Sequence, residues 1–213
     1  MSIEEVKRKI SEAIEARAND IIEIGETIWK KPELGFKEFE TAKYVAKKFD
    51  ELGLDYESGV AITGLVAKAS KEPKRPTVCV YGELDAIICP THPESDPVTG
   101  AAHACGHNGQ IAMMLGVGMG LLDTRILKDL EGNVALMAIP AEEYLEIEYR
   151  LALREKGKIK FLGGKQEFVR LGKFDDVDMV LHAHIRADMP QRKAEFGTSL
   201  NGFVGKRIRF VGK

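Results

Sequence analysis

Residues 103–108 read HACGHN, two imidazoles and a thiol within five positions, with a glycine between the thiol and the second histidine. Three more polar clusters close apolar runs: GELD (82–85), PAEE (140–143) and HAH (182–184). Sulfur, imidazole and carboxylate are together the donors that a divalent transition metal takes. In extended backbone, residues i and i+2 point the same way. Cys105 and His107, Glu83 and Asp85, and His182 and His184 can therefore each face one ion in pairs. Glu142 and Glu143 are adjacent and point to different sides, so one can bind metal while its neighbour works as a general base. A divalent ion lowers the pKa of bound water towards about 7 and polarises a carbonyl. Together these parts make a hydrolytic centre. Each piece also has a plainer use: Cys79 as strand core, Cys89 as a loop thiol, His92 as a solvated loop residue, His182 as a packed strand histidine. The two acids of PAEE could equally open a helix, where negative charge is favourable.

The elements that would position these groups follow from periodicity. Ile3, Val6, Ile10, Ile14, Ile21, Ile24 and Ile28 keep helical spacing over residues 3–29. KPELGF (31–36) interrupts it. A second helix starts near Glu38, with Phe39, Val45, Phe49 and Leu52 inward and Gly53 as its stop. AITGLVAKA (61–69) and TVCVYGEL (77–84) read as strands, the latter of the buried type. Residues 86–102 form a long loop, and 110–123 a buried helix rich in small residues. NVALMAIPAEE (133–143) and DMVLHAHI (178–185) are strands that end in the polar clusters. Strands alternating with helices indicate an α/β domain with a largely parallel sheet. In such sheets ligands gather at the carboxyl ends of strands, so the four clusters should converge on one rim.

Composition narrows the function classes. Thirty-one basic and 33 acidic residues leave a net charge of −2, which points to neither nucleic acid nor an acidic arm. No apolar run approaches the roughly 20 residues of a membrane span, and the charged amino terminus lacks a signal-peptide core. Three sparse cysteines in such a chain suit a reducing cytoplasm.

On KKPELGFKEFET (30–41), YGELDA (81–86), HACGHN, PAEE and LHAHI (181–185), in that order, the chain resembles the amidohydrolase branch of the metal-dependent aminoacylase/carboxypeptidase family. That branch includes hippurate, indole-acetyl-amino-acid and aminobenzoyl-glutamate hydrolases. The resemblance implies a three-layer catalytic domain, with a largely parallel mixed sheet flanked by helices, that hydrolyses the amide of an N-acyl amino acid or small dipeptide-like substrate. By position, Cys105, His107, Glu143 and His184 match metal ligands, Glu142 the general base, and Asp85 an acid that supports the site by orienting a ligand histidine. Two divalent ions are implied, zinc or manganese ahead of cobalt or nickel. The substrate is a small molecule. KRIRFVGK (206–213) matches only the first strand of the family's lid domain. The expected organisation is therefore a catalytic portion over 1–200, incomplete at its C-terminus, and the start of a lid and dimerisation domain over 201–213. The family's homodimer surface and one further histidine ligand would be largely absent. The basic stretch REKGKIKFLGGK (154–165) reads as an inserted hairpin or lid near the pocket.

Two other functions compete with this one. One is a non-catalytic family member that folds and binds metal or a partner without turnover. The other is a thiol enzyme with Cys105 as nucleophile and His107 or His103 as base.

Overall fold

The computed structural model describes residues 1–70, 76–185, 194 and 210–212 of the 213-residue chain. The order of elements is α1 (Ile3–Ala16), α2 (Ala18–Trp29), α3 (Phe39–Glu51), β1 (Tyr56–Val60), β2 (Gly64–Lys68), β3 (Thr77–Glu83), β4 (Ile87–Ile88), β5 (Ala101–Ala102) and α4 (His107–Asp123). A 3-10 turn (Ile126–Lys128) leads on to β6 (Asn133–Ile139), α5 (Ile147–Glu155), α6 (Gly164–Arg170) and β7 (Met179–His182). The main sheet has the order β1-β2-β6-β3-β7. Strand β3 pairs in parallel with both β6 and β7, and the β1–β2 hairpin continues the sheet antiparallel on the far side of β6.

Alternation along the strands builds three layers. Leu65, Ala67, Leu136 and Ala138 pack under α2, α3 and α4 with Ile24, Phe49, Ile111 and Leu115. Their neighbours Val66, Cys79, Ala135, Met137 and Ile139 face the other way, against Ile159 and Phe168 beside α5 and α6. Period-two side-chain direction makes one sheet serve both cores. Among the described residues no helix is long and apolar enough to cross a membrane.

Several elements depart from the sequence-based expectation. The single helix over 3–29 is two, broken at Arg17 (φ −100°, ψ 10°), whose guanidinium pairs with Asp20 and with Asp123 at the end of α4. Phe39 is exposed, because Thr41, Val45 and Phe49 carry the inward stripe of α3. The strand expected over 61–69 begins at Gly64. Ala61 and Ile62 hold positive φ in the turn that joins it to an unanticipated partner, β1. The long loop contains the short β4–β5 ladder. Residues 154–165 form no hairpin. They are the end of α5 and a connection into α6, held when the buried Glu167 carboxylate accepts from Lys160 N–H (2.8 Å) and Phe161 N–H (2.6 Å). The boundary at 200 and the strand over 206–213 lie outside the described residues, apart from 210–212.

The segment 33–41 is shaped by its acids. Glu33 caps α3 from outside the helix, accepting from Glu40 N–H (3.1 Å) and from the N–H and hydroxyl of Thr41 (both 2.8 Å). Gly35 lies so close to Ala141 and Arg150 that a Cβ would stand 2.9 Å from the Ala141 Cα. Glu38 is fully buried, accepting from Ala141 N–H (2.8 Å) and from the Thr63 hydroxyl (2.6 Å). The buried Arg150 guanidinium donates to Leu162 O (2.7 Å) and lies close enough to Glu38 and Asp85 to act as their counter-charge.

Burial, reinforced by the charge of Asp85, pushes the Glu38 carboxyl up to about 7. The stabilisation that its protonated form brings is thus complete below the unfolded value of 4.5 and is lost as pH rises through about 7. Gln keeps both hydrogen bonds in the manner of the neutral acid. Urea denaturation of Glu38→Gln and wild type at pH 5 and pH 8 should show the variant gaining on wild type at the higher pH. A pH-independent difference would refute the assignment.

Candidate metal centre

The carboxyl ends of β3, β6 and β7 bring the four clusters to one rim, as the parallel pairing requires. The chain beyond β3 delivers Asp85, the loop after β6 delivers Glu142 and Glu143, and the residues after β7 deliver His184. Cys105 and His107 arrive differently from the expectation. The backbone there is not extended: Gly106 turns it at φ +89°, and His107 is the first residue of α4. That turn, rather than a strand's alternation, aims both groups inward.

Asp85 organises the rim. Its side chain is wholly buried and accepts from Glu142 N–H (3.0 Å) and Glu143 N–H (2.9 Å). Its main-chain oxygen lies 2.7 Å from His107 Nδ1. A carbonyl only accepts, so Nδ1 carries the proton, and the other ring nitrogen, Nε2, is the one turned to the centre. That atom is buried, without a hydrogen-bond partner among the described residues, 3.0 Å from Glu83 Oε2 and 3.9 Å from Glu143 Oε1. On the open side, His184 Nδ1 lies 2.8 Å from Ile185 O, which likewise turns Nε2 inward, to 3.5 Å from Cys105 Sγ.

Two donor groups result. Cys105, His107 and His184 place ligand atoms within 4.8 Å of one another, as do Glu83, His107 and Glu142. Glu143 joins neither group at that distance but faces the shared histidine. Burial pulls the His107 imidazole down, but its bonds to Asp85 and Cys105 and the charges of Glu83 and Asp85 prevail and hold it at about 11. The carboxylate charge around this imidazole favours a cation, and a ligating imidazole gives up that second proton. The orphaned Nε2 and the mixed donors fit a divalent ion.

Two neighbours, Gln110 and Lys165, were not singled out as site residues. Gln110 accepts at Oε1 from Glu83 N–H and, at 3.1 Å, from His182 Nε2, while its amide donates to Glu83 Oε2. His182 also stacks on Tyr81 at 4.3 Å, so it is the packed strand histidine. Glu83, expected to face an ion together with Asp85, is buried at the centre. Lys165 pairs with Glu83 (2.5 Å) and Glu142 (3.3 Å) from the start of α6, and no local pattern marked it. Burial raises the Glu142 carboxyl, as does Glu83, while Lys165 opposes them. His103, offered as a base for a thiol enzyme, is buried and, among the described residues, has no partner on either ring nitrogen. Burial and then His107 push it down to about 4. Cys79 is core, its thiol raised by burial to about 12. A groove of about 540 Å³ between α2 and α3, lined by Ile28, Tyr44, Lys47 and Tyr56, contains none of the donors.

No protein-family model matches the chain. It is 33% identical over 176 residues to thermostable carboxypeptidase 2 of Saccharolobus solfataricus, a match covering 80% of this chain and 40% of that one. It is 31% identical over 178 residues to the IAA-amino acid hydrolase ILR1-like 2 of Arabidopsis thaliana (82% and 36%). To the N-acyl-L-amino acid amidohydrolase of Geobacillus stearothermophilus it is 27% identical over 218 residues (100% and 53%). The chain thus spans about half or less of the length of these relatives. A solved structure from methicillin resistant Staphylococcus aureus, described as an aminohydrolase, superposes with a TM-score of 0.69 at 26% identity, over 85% of this chain and 43% of that one. The fold is shared too with a Bacillus subtilis protein described as a dinuclear metal binding peptidase of the M20 family (TM-score 0.65, 24% identity, 83% and 45%).

If the thiol is a donor, Cys105→Ser should lower the affinity for Zn²⁺ or Mn²⁺ in calorimetric titration, with circular dichroism unchanged. Equal affinity in the two proteins would remove Cys105 from the donor set.

Proposed function

Because this chain belongs to the family of metal-dependent amidohydrolases and carboxypeptidases, we propose that its centre serves hydrolysis of the amide bond of an N-acyl amino acid or small dipeptide-like substrate. The single observation that carries this reading is the convergence of Cys105, His107 and His184 within 4.8 Å, with Glu142 and Glu143 beside them. Cys105, His107, Glu143 and His184 would hold two divalent ions, zinc or manganese before cobalt or nickel, since the donors mix sulfur, nitrogen and oxygen. Such ions supply Lewis acidity and an acidified water.

The chain's own groups do the rest. Glu142 takes a proton from the attacking water and returns it to the leaving amine. Its raised carboxyl suits that exchange, because a base poised nearer neutrality can also act as the acid. Asp85 orients the centre from behind. By holding the N–H groups of Glu142 and Glu143 it sends the two side chains to different tasks, and through its main-chain oxygen it sets the His107 tautomer. The three free thiols support a reducing, cytoplasmic setting.

Removing the base while keeping the donors is the direct test. In the protein carrying this sequence, Glu142→Gln should retain metal by elemental analysis. Hydrolysis of acetyl-, benzoyl- and indole-acetyl-amino acids should fall by about 10²–10⁴-fold. Undiminished turnover would end the assignment. Separately, Asp85→Asn should weaken metal binding by about 10–100-fold in calorimetric titration, as loss of an orienting partner does.

A further inference from the structure

Gln110 is a polar side chain where apolar packing could have filled the space. It is 2% exposed and lies three residues after His107, on the same face of α4. Its oxygen accepts from Glu83 N–H at 3.1 Å and from His182 Nε2 at 3.1 Å. Its amide donates to Glu83 Oε2, also at 3.1 Å. The Glu83 N–H fixes which way the amide faces, because a reversed amide would set one donor against another. Gly82 makes the contact possible: a Cβ there would stand 2.9 Å from Ile111 N and 3.0 Å from Gln110 C.

We propose that Gln110 is a positioning residue that clamps the Glu83 carboxylate beside His107, and so keeps negative charge at the metal centre. The inference rests on the metallohydrolase reading above and deepens it by assigning how the centre's charge is held. Glu83 Oε2 lies 3.0 Å from His107 Nε2. A ligating nitrogen donates no hydrogen bond. With an ion on His107, the Gln110 amide is therefore the donor that holds Oε2 among the described residues, while Lys165 pairs with Oε1 at 2.5 Å. Without the amide, a carboxylate oxygen facing a ligand nitrogen would turn away, and the ion would lose attraction. A neutral amide tethers Glu83 without cancelling its charge, which a second cation would do. Gln110 touches none of the proposed ligands and acts through Glu83.

The test reads affinity for the metal alone. Wild type, Gln110→Met, Gln110→Asn, Glu83→Gln and the double variant Glu83→Gln/Gln110→Met are titrated with Co²⁺ by calorimetry. Elemental analysis checks the uptake, and circular dichroism with thermal melts checks the fold. Gln110→Met should bind Co²⁺ about 10–100-fold more weakly than wild type. Gln110→Asn should share that loss, because its amide falls short of Glu83, and it carries the same criteria if Gln110→Met fails to fold. On the Glu83→Gln background the Met substitution should add less than about threefold. A purely structural role would lower the melting temperature and leave affinity alone, so equal affinity in wild type and a folded Gln110 variant overturns the proposal. A full further loss on top of Glu83→Gln overturns it too, since the effect would not run through Glu83. Failure of the underlying reading looks different: wild type would bind no ion, or Cys105→Ser would leave its uptake untouched, whatever the Gln110 variants do.

Discussion

The centre depends on one buried carboxylate. Asp85 is wholly inaccessible and receives the backbone N–H groups of Glu142 and Glu143, residues more than fifty positions away. Its main-chain oxygen meets His107, so a single residue joins the end of β3, the start of α4 and the loop after β6. Charge-assisted bonds of this kind are among the stronger ones, and stripping partners from a buried charge is costly. The geometry of the rim is therefore a by-product of satisfying one anion. Any change that lets Asp85 relax releases three segments together.

Around that anion the charge balance is deliberate in its distribution. Glu38 and Arg150 lie behind Asp85, the first pushed towards its neutral form and the second lowered by burial while the charges of Asp85 and Glu38 oppose that shift. Glu83, Glu142 and Glu143 lie in front, with Lys165 and His107 among them. Acids outnumber bases at the front, and this excess is what makes a cation welcome there. At the back the charges are nearly balanced, so that layer acts as scaffold. The same physics, burial against pairing, yields rigidity on one side and an affinity for positive charge on the other.

The segment 33–41 shows how a motif outside the chemistry earns its place. Glu33 caps α3, Gly35 permits close approach to Ala141, and Glu38 holds the Ala141 N–H. The last two contacts fix the start of the PAEE loop from below. Read in isolation the segment looked like a helix break, because the Ala141 N–H that Glu38 serves lies 103 residues away.

What the linear order determined by itself was the set of parts. Apolar runs of strand and helix type were visible because alternation and helical spacing are local properties, and a parallel sheet follows from their succession. The donor types were visible too, since sulfur, imidazole and paired acids are chemically conspicuous. Tertiary structure decided how they are used. The helix breaks at Arg17, whose partners lie on α2 and α4, and Gly106 turns the thiol and His107 inward where strand alternation had been expected. Glu83 at the end of β3 and Lys165 at the start of α6 meet only in the folded chain. Pairings between groups far apart in the chain leave no periodic trace, and burial, which sets their charge, exists only once the layers have closed.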